Sequence, residues 1–499
     1  MKMITNGRIP TVLAAGVTLL VGAAGTVTPA YAYAGAGATP GTAGLGDRLY
    51  PKLGNGGYDV LNYDLSLKYA AKDPKQTVAG SVSIWANATQ NLSRFDLDFG
   101  GGQVGAVSVN GAAATFTRSG EELVITPARA LPKGKAFRVI VSGFTATPVT
   151  PSADAPDGFV TTPDGSVLAG QPASSHKLFP SNDHPRDKAT YTIRLTAPVG
   201  WTGVANGRHV TDRTQNGYTT SVYRESKPMA SELVQVAVGD FVVKNRKAVN
   251  NVPIRDVVPR RLASKLLPKA DVERKQLAWM TKQVGAYPFE NYGSLVIDAN
   301  LGFALETQTL SLYDTGLFGA PKYVLDPVMT HELAHQWFGD SVAPKSWSDV
   351  WQSEGHATWY ELLYAADTKA FKKYTGFSNR DAYFKNVYQR GNQTRAKYGP
   401  VARPKGSASV WDVFNPNVYD GGALVLYALK QKVGAAKFQK IERAWVKTYR
   451  GKSASTQDFI ALASKTSGRN LKTFLNSWLY GKKVPAMPGH KDWKASAAR

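Results

Sequence analysis

Asp326-Pro327-Val328-Met329-Thr330-His331-Glu332-Leu333-Ala334-His335-Gln336-Trp337-Phe338-Gly339 is the stretch that decides how the rest of the chain is read. Residues four apart share one helix face, so His331 and His335 can turn both imidazoles to one ion. Glu332 points aside from that ion yet stays close enough to handle a water on it. This is the H-E-x-x-H pattern of a zinc site with its general base. Asp326 as N-cap and Pro327 as first helical residue predict the start of the helix, and Gly339 its end. Tetrahedral zinc takes a third protein ligand and keeps one position open for water. Glu354, on a second predicted helix from about Ser348 to Ala366, is the natural candidate. The competing reading is a buried helix that happens to carry two histidines. The chain has only 7 histidines in 499 residues, so this spacing with a glutamate downstream seldom arises by chance.

Together with Trp351-Gln352-Ser353-Glu354-Gly355-His356-Ala357, these residues resemble the gluzincin metallopeptidases of the aminopeptidase N and leukotriene hydrolase type. In that family, as here, eighteen residues separate the second histidine from the ligand glutamate. The resemblance covers most of the chain and implies a thermolysin-like, mainly helical mixed α/β catalytic domain with one Zn²⁺ per chain. Three further segments carry it. In Gly302-Phe303-Ala304-Leu305-Glu306-Thr307 the family's cleft-lining Gly-x-Met-Glu-Asn strand corresponds to Phe303–Thr307, with Leu for Met and Thr for Asn. The backbone of Ala304 and Leu305 would align substrate, and Glu306 would bind its N-terminal ammonium, a pairing suited to charge-assisted hydrogen bonds. The loop Gly170-Gln171-Pro172 before Phe179-Pro180 resembles the family segment that reaches over the active site, with Gln171 in the substrate-contacting position. Tyr419, in Tyr419-Asp420-Gly421-Gly422-Ala423, resembles the tyrosine at a helix start whose hydroxyl stabilises the oxyanion. Metal-bound histidines usually donate their second N–H to a carboxylate or carbonyl. Asp349 or Asp340 is the expected partner, while His356 reads as a packed histidine rather than a fourth ligand.

Residues 1–34 read as an export signal. Lys2 and Arg8 precede an apolar run from Val12 to Val27, and cleavage sites follow at Ala30-Tyr31-Ala32 and Ala32-Tyr33-Ala34. The run is too short and glycine-rich for a good membrane span, and secretion is the expected destination. No cysteine is present, so stability rests on packing without disulfides. The net charge of +23 is spread without a basic run or nucleic-acid motif, which excludes a nucleic-acid partner and favours a solvated basic surface.

From 35 to 243 the pattern is β: Val78, Val82, Ile84 and Ala86 alternate with small or polar neighbours. Phe95–Phe99 and Phe137–Val141 repeat the two-residue period. Short spacings between turn residues predict an antiparallel sandwich or saddle, and with the helical half a multidomain α+β fold. A basic connector is expected over Lys244–Asn251. The catalytic domain is expected over 244–485, with helices at Ala270–Val284, around Phe438–Tyr449, after the Ser455/Thr456 cap and over Leu471–Tyr480. A basic tail, 486–499, follows.

The function implied is zinc-dependent removal of N-terminal residues from peptides with a free N-terminus, with no integral membrane contact. Two alternatives stay open. One is a gluzincin endopeptidase with Glu306 merely lining a longer cleft, the other a noncatalytic protein that binds cell-wall polymers through its basic surface.

Overall fold

Two alternations in one strand show how the β region is built. In Tyr58–Tyr69 the buried side chains are Tyr58 and Val60, then Tyr63, Leu65, Leu67 and Tyr69. A bulge between Val60 and Asn62 shifts the phase and leaves Leu61 43% exposed. This strand lies inside an eight-stranded sheet that begins at Arg208–Gln215 and ends at Ala112–Ala113. Its neighbours are Val78–Ala88, antiparallel, and Ala189–Pro198, parallel. The sheet is therefore antiparallel except where the chain returns from the far side to lie beside its first long strand. Two four-stranded sheets pack with it, and their inward side chains form one core. The computed structural model describes residues 37–497 apart from 71–72, 74 and 153–156, so the expected signal segment lies outside the described residues.

The expected connector at Lys244–Asn251 is instead half of a hairpin. Phe241–Val249 pairs antiparallel with Val252–Pro259 across Asn250 and Asn251, both at positive φ (51° and 65°). Asparagine tolerates that backbone, and positive φ at both central residues is what a tight hairpin turn needs. Lys244 and Asn245, then Lys247 and Ala248, are exposed in succession, so the strand has solvent on both faces and shows no alternation. Val252–Pro259 continues into a mixed sheet with Ser294–Ile297 and Ser311–Asp314, the floor under the helical half. The Phe303–Thr307 segment is not a full strand. Only Leu305 pairs, with Leu312, and the chain turns back at Thr307–Leu310 with Thr309 at φ 69°.

The decisive helix runs Lys322–His335, so Asp326 and Pro327 lie inside it. Pro321 opens the helix, and Asp326 pairs with Lys322 one turn back (3.1 Å). Pro327, the sixth helical residue, has no N–H to give the Tyr323 carbonyl, and the Asp326 carbonyl beside it takes Gln276 Nε2 at 2.7 Å and Thr330 Oγ1 at 3.0 Å. The helix ends at His335, before Gly339. Gly339 instead turns the chain at φ 131°, where a Cβ would come 2.3 Å from Ser353 Oγ and 3.2 Å from His335 Nδ1. The second helix, Trp351–Asp367, follows one tight turn at Trp347–Asp349. The third, Pro416–Val433, starts from an Asn415 side-chain cap with Pro416 at its first position. Farther on, Ser455 and Asp458 form a capping box for Thr456–Ser467, and Lys472–Tyr480 forms the last helix.

Candidate active site

The second and third helices touch where neither has a side chain. A Cβ on Gly355 would lie 2.8 Å from the Gly422 Cα, so the backbones approach closely only because both residues are glycine. That contact brings Tyr419 over the first helix, its ring 5.9 Å from that of His331 at an angle of 22°. On the first helix, His331 and His335 sit edge to face with centroids 4.7 Å apart. Glu354 completes the group. Its Oε2 is 3.2 Å from His331 Nε2 and 3.4 Å from His335 Nε2.

What turns both Nε2 atoms inward is the bond each ring makes at Nδ1. His331 Nδ1 lies 2.8 Å from Glu361 Oε2, and Tyr374 donates to the other oxygen of that carboxylate. His335 Nδ1 lies 2.8 Å from Ser353 Oγ and 3.1 Å from the Phe338 carbonyl. Neither Asp349 nor Asp340 has the role expected for it. Asp349 accepts from Thr456 N and Oγ1 at the start of another helix, and Asp340 is buried with both side-chain oxygens unpartnered. Glu361 is seven residues after Glu354, two turns along the same face, a spacing that would have revealed it. His356 is fully buried, stacked on Phe338 at 4.4 Å, with Nδ1 on the Gln352 carbonyl.

The donor atoms of His331, His335 and Glu354 all lie within 4.8 Å of one another. Two inward imidazole nitrogens and one carboxylate suit a divalent cation. The electrostatics agree. Burial alone would favour neutral His331, yet Glu354 and Glu361 hold it well above the usual histidine range. Burial would also raise Glu354, but His335 and His331 bring it down to about 2. Glu332 is 5% exposed and its Oε2 has no protein partner. Burial pushes its carboxyl up to about 8, against the pull of both histidines. A buried carboxylate oxygen left free beside a set of metal-type donors is what a water-handling base requires. Tyr419 keeps its proton, because burial and then the nearby Glu354 charge push the phenol well above its ordinary value.

In the same cleft, Glu306 Oε1 comes within 3.9 Å of His335 Nδ1. The Gln171 amide nitrogen bridges Glu306 Oε1 and Glu232 Oε2, both at 2.8 Å. Gln336, next to His335, ties the segment to the helix. Its Nε2 donates to the Glu306 carbonyl at 3.1 Å, and its Oε1 accepts from Thr309 N at 2.9 Å. Nothing in the sequence pointed to Glu232 or Gln336, since their partners are distant in the chain. The cleft holds about 260 Å³; Ala304 and Leu305 line it with the groups above, and Phe303, Trp411 and Phe414 add apolar wall. Among the described residues no helix is long and apolar enough to cross a membrane.

Residues 269–478 match the model of the peptidase family M1 domain. The chain is 26% identical over 333 residues to "Aminopeptidase M1" of Arabidopsis thaliana, an alignment that spans 64% of this chain and 37% of that protein. It therefore spans little more than a third of the curated relatives it matches. A crystal structure of an M1 zinc metallopeptidase from Deinococcus radiodurans is similar throughout: TM-score 0.77, 28% identity, 89% of this chain and 99% of that one. A variant of that enzyme bound to a Tyr-Ser-Ala substrate is similar at TM-score 0.76 and 29% identity, with the same coverage of both chains.

Proposed function

This chain is an M1-family gluzincin of the aminopeptidase N type, and from that premise we propose that it is a zinc aminopeptidase, removing N-terminal residues from peptides. The observation that carries the reading is the 3.9 Å between Glu306 and His335. A carboxylate for an ammonium directly beside the metal ligands leaves room for one residue before the scissile bond.

Zinc held by His331, His335 and Glu354 would supply a Lewis acid that lowers the pKa of its water and polarises the scissile carbonyl. Glu332 takes the attacking water's proton at its free carboxylate and returns it to the leaving amine. The Tyr419 hydroxyl donates to the oxygen that becomes negative in the transition state. Glu306 pairs with the substrate ammonium beside the Gln171 amide. Ala304 and Leu305 offer backbone along the cleft, and Glu361 and Ser353 keep the two imidazoles turned inward. The basic 1–34 segment acts as an export signal, and sequencing the first residues of protein recovered from the medium checks it. A start after Ala32 or Ala34 is expected, and an intact Met1 overturns it.

The deciding experiment pairs aminoacyl chromogenic substrates with their N-acetyl versions. Acetylation removes the charge that Glu306 would meet. Losing such a bond costs about 1.5–3 kcal/mol, so the free-amine substrate is expected to be favoured by at least about 10- to 150-fold in kcat/KM. Equal cleavage, or internal cuts in a long blocked peptide, favours the endopeptidase. No cleavage of either across a broad residue panel, by zinc-loaded protein, revives the noncatalytic reading.

A further inference from the structure

Glu232 is the buried group beside the cleft for which the reaction above has no use. It is 2% exposed, on the one-turn segment Ser231–Leu233, and reaches the site only through Gln171. The terminal Gln171 atom at 2.8 Å from both Glu232 Oε2 and Glu306 Oε1 is its NH₂, whose two hydrogens suit two carboxyl oxygens. Both amide hydrogens are thereby used. Gln171 Oε1 is left as the acceptor this side chain can offer, and Gln171 lines the cleft.

Resting on the amine-recognition reading, we propose that Glu232 is a positioning residue for the substrate's N-terminus. By accepting one Gln171 N–H while Glu306 accepts the other, it turns the Gln171 oxygen toward the ammonium. The cation then meets an amide acceptor next to the Glu306 carboxylate. Held by Glu306 alone, the amide can rotate and present its NH₂ to a cation, an arrangement that repels. Burial, and then the Glu306 charge, push the Glu232 carboxyl up to about 8. The task needs an acceptor oxygen at that place and not a full negative charge.

The test is a double-mutant cycle of Glu232→Leu with Gln171→Ala, with Glu232→Gln as the conservative variant. Glu232→Leu is expected to raise KM about 10-fold with kcat nearly unchanged, the low end for losing a bond to a charged group. Glu232→Gln, which still offers an oxygen, should stay within about 3-fold of the parent KM. In the Gln171→Ala background Glu232→Leu should change nothing further, since the residue it acts through is gone. Equal loss in the Gln and Leu variants would overturn the proposal, because it would mean that the charge itself meets substrate. So would additivity in the cycle, or a fall in kcat and melting temperature with unaltered KM. Affinity for a free-amine dipeptide, measured by calorimetry on the Glu332→Gln protein, separates this from the parent reading. No binding at all there refutes amine recognition, whereas binding that Glu232→Leu leaves untouched refutes the role of Glu232 alone. Should Glu232→Leu fail to fold, Glu232→Ala takes its place in the same cycle.

Discussion

Glu332→Gln is expected to give a folded, zinc-containing protein whose kcat has fallen by about 10²- to 10⁴-fold, the range that a positioned general base contributes. The side chain keeps its size and one oxygen, so the 5% exposed site is not emptied. What it loses is the ability to take a proton. Because Glu332 Oε2 has no protein partner, the substitution breaks no hydrogen bond within the fold. The two histidines keep their own supports, Glu361 for His331 and Ser353 for His335. Zinc content, melting temperature and KM should therefore stay near the parent values while turnover collapses. Turnover like that of the parent protein would show that another group accepts the proton, and loss of zinc along with activity would make Glu332 part of the ligand set.

How much of this was legible depends on how far apart in the chain the cooperating atoms lie. His331, Glu332 and His335 fall within one helical turn and a half, so periodicity alone predicts that the two histidines share a face with Glu332 beside it. Glu354, Glu306 and Tyr419 come from separate segments and are legible only through motifs, because no local rule joins them. The supports of the histidines do not come from the nearest acidic residues in the chain. The carboxylate expected close in sequence, Asp349, is occupied by Thr456, whereas Glu361 arrives from the far end of the same helix as Glu354. Glu232 and Gln336 gave no signal because their partners are set by tertiary packing. In the β region the two-residue period held where one face is apolar, as in Val78–Ala88. It failed where both faces are covered: Asp96 and Asp98 are buried at 4% and 3% in a strand whose sequence reads apolar-in, polar-out. The Phe241–Pro259 hairpin was hidden for the opposite reason, a basic solvated strand turned by Asn250 and Asn251, residues that read equally well as a loop. The helix starts at Lys322, although Pro327 is a stronger start signal than the lysine and aromatic there.

The oxyanion end of the reaction gives the last test. Tyr419→Phe should lower kcat by about 10²- to 10³-fold, the usual loss when one preorganised oxyanion donor is removed, with KM shifted only slightly. The ring stays, so its stacking on His331 at 5.9 Å and the Gly355–Gly422 contact that seats its helix are kept. Only the hydroxyl disappears. Glu354 keeps both histidines as neighbours without it, so zinc binding should survive. In the transition state the same hydroxyl would turn to the developing negative oxygen. Burial and Glu354 keep the phenol protonated far above its ordinary value, so it arrives as a donor at any working pH. A bond that forms only as charge develops is read in kcat and leaves ground-state affinity alone. An effect confined to KM would make Tyr419 a substrate contact, and loss of zinc in the phenylalanine variant would make its hydroxyl a support of the metal site.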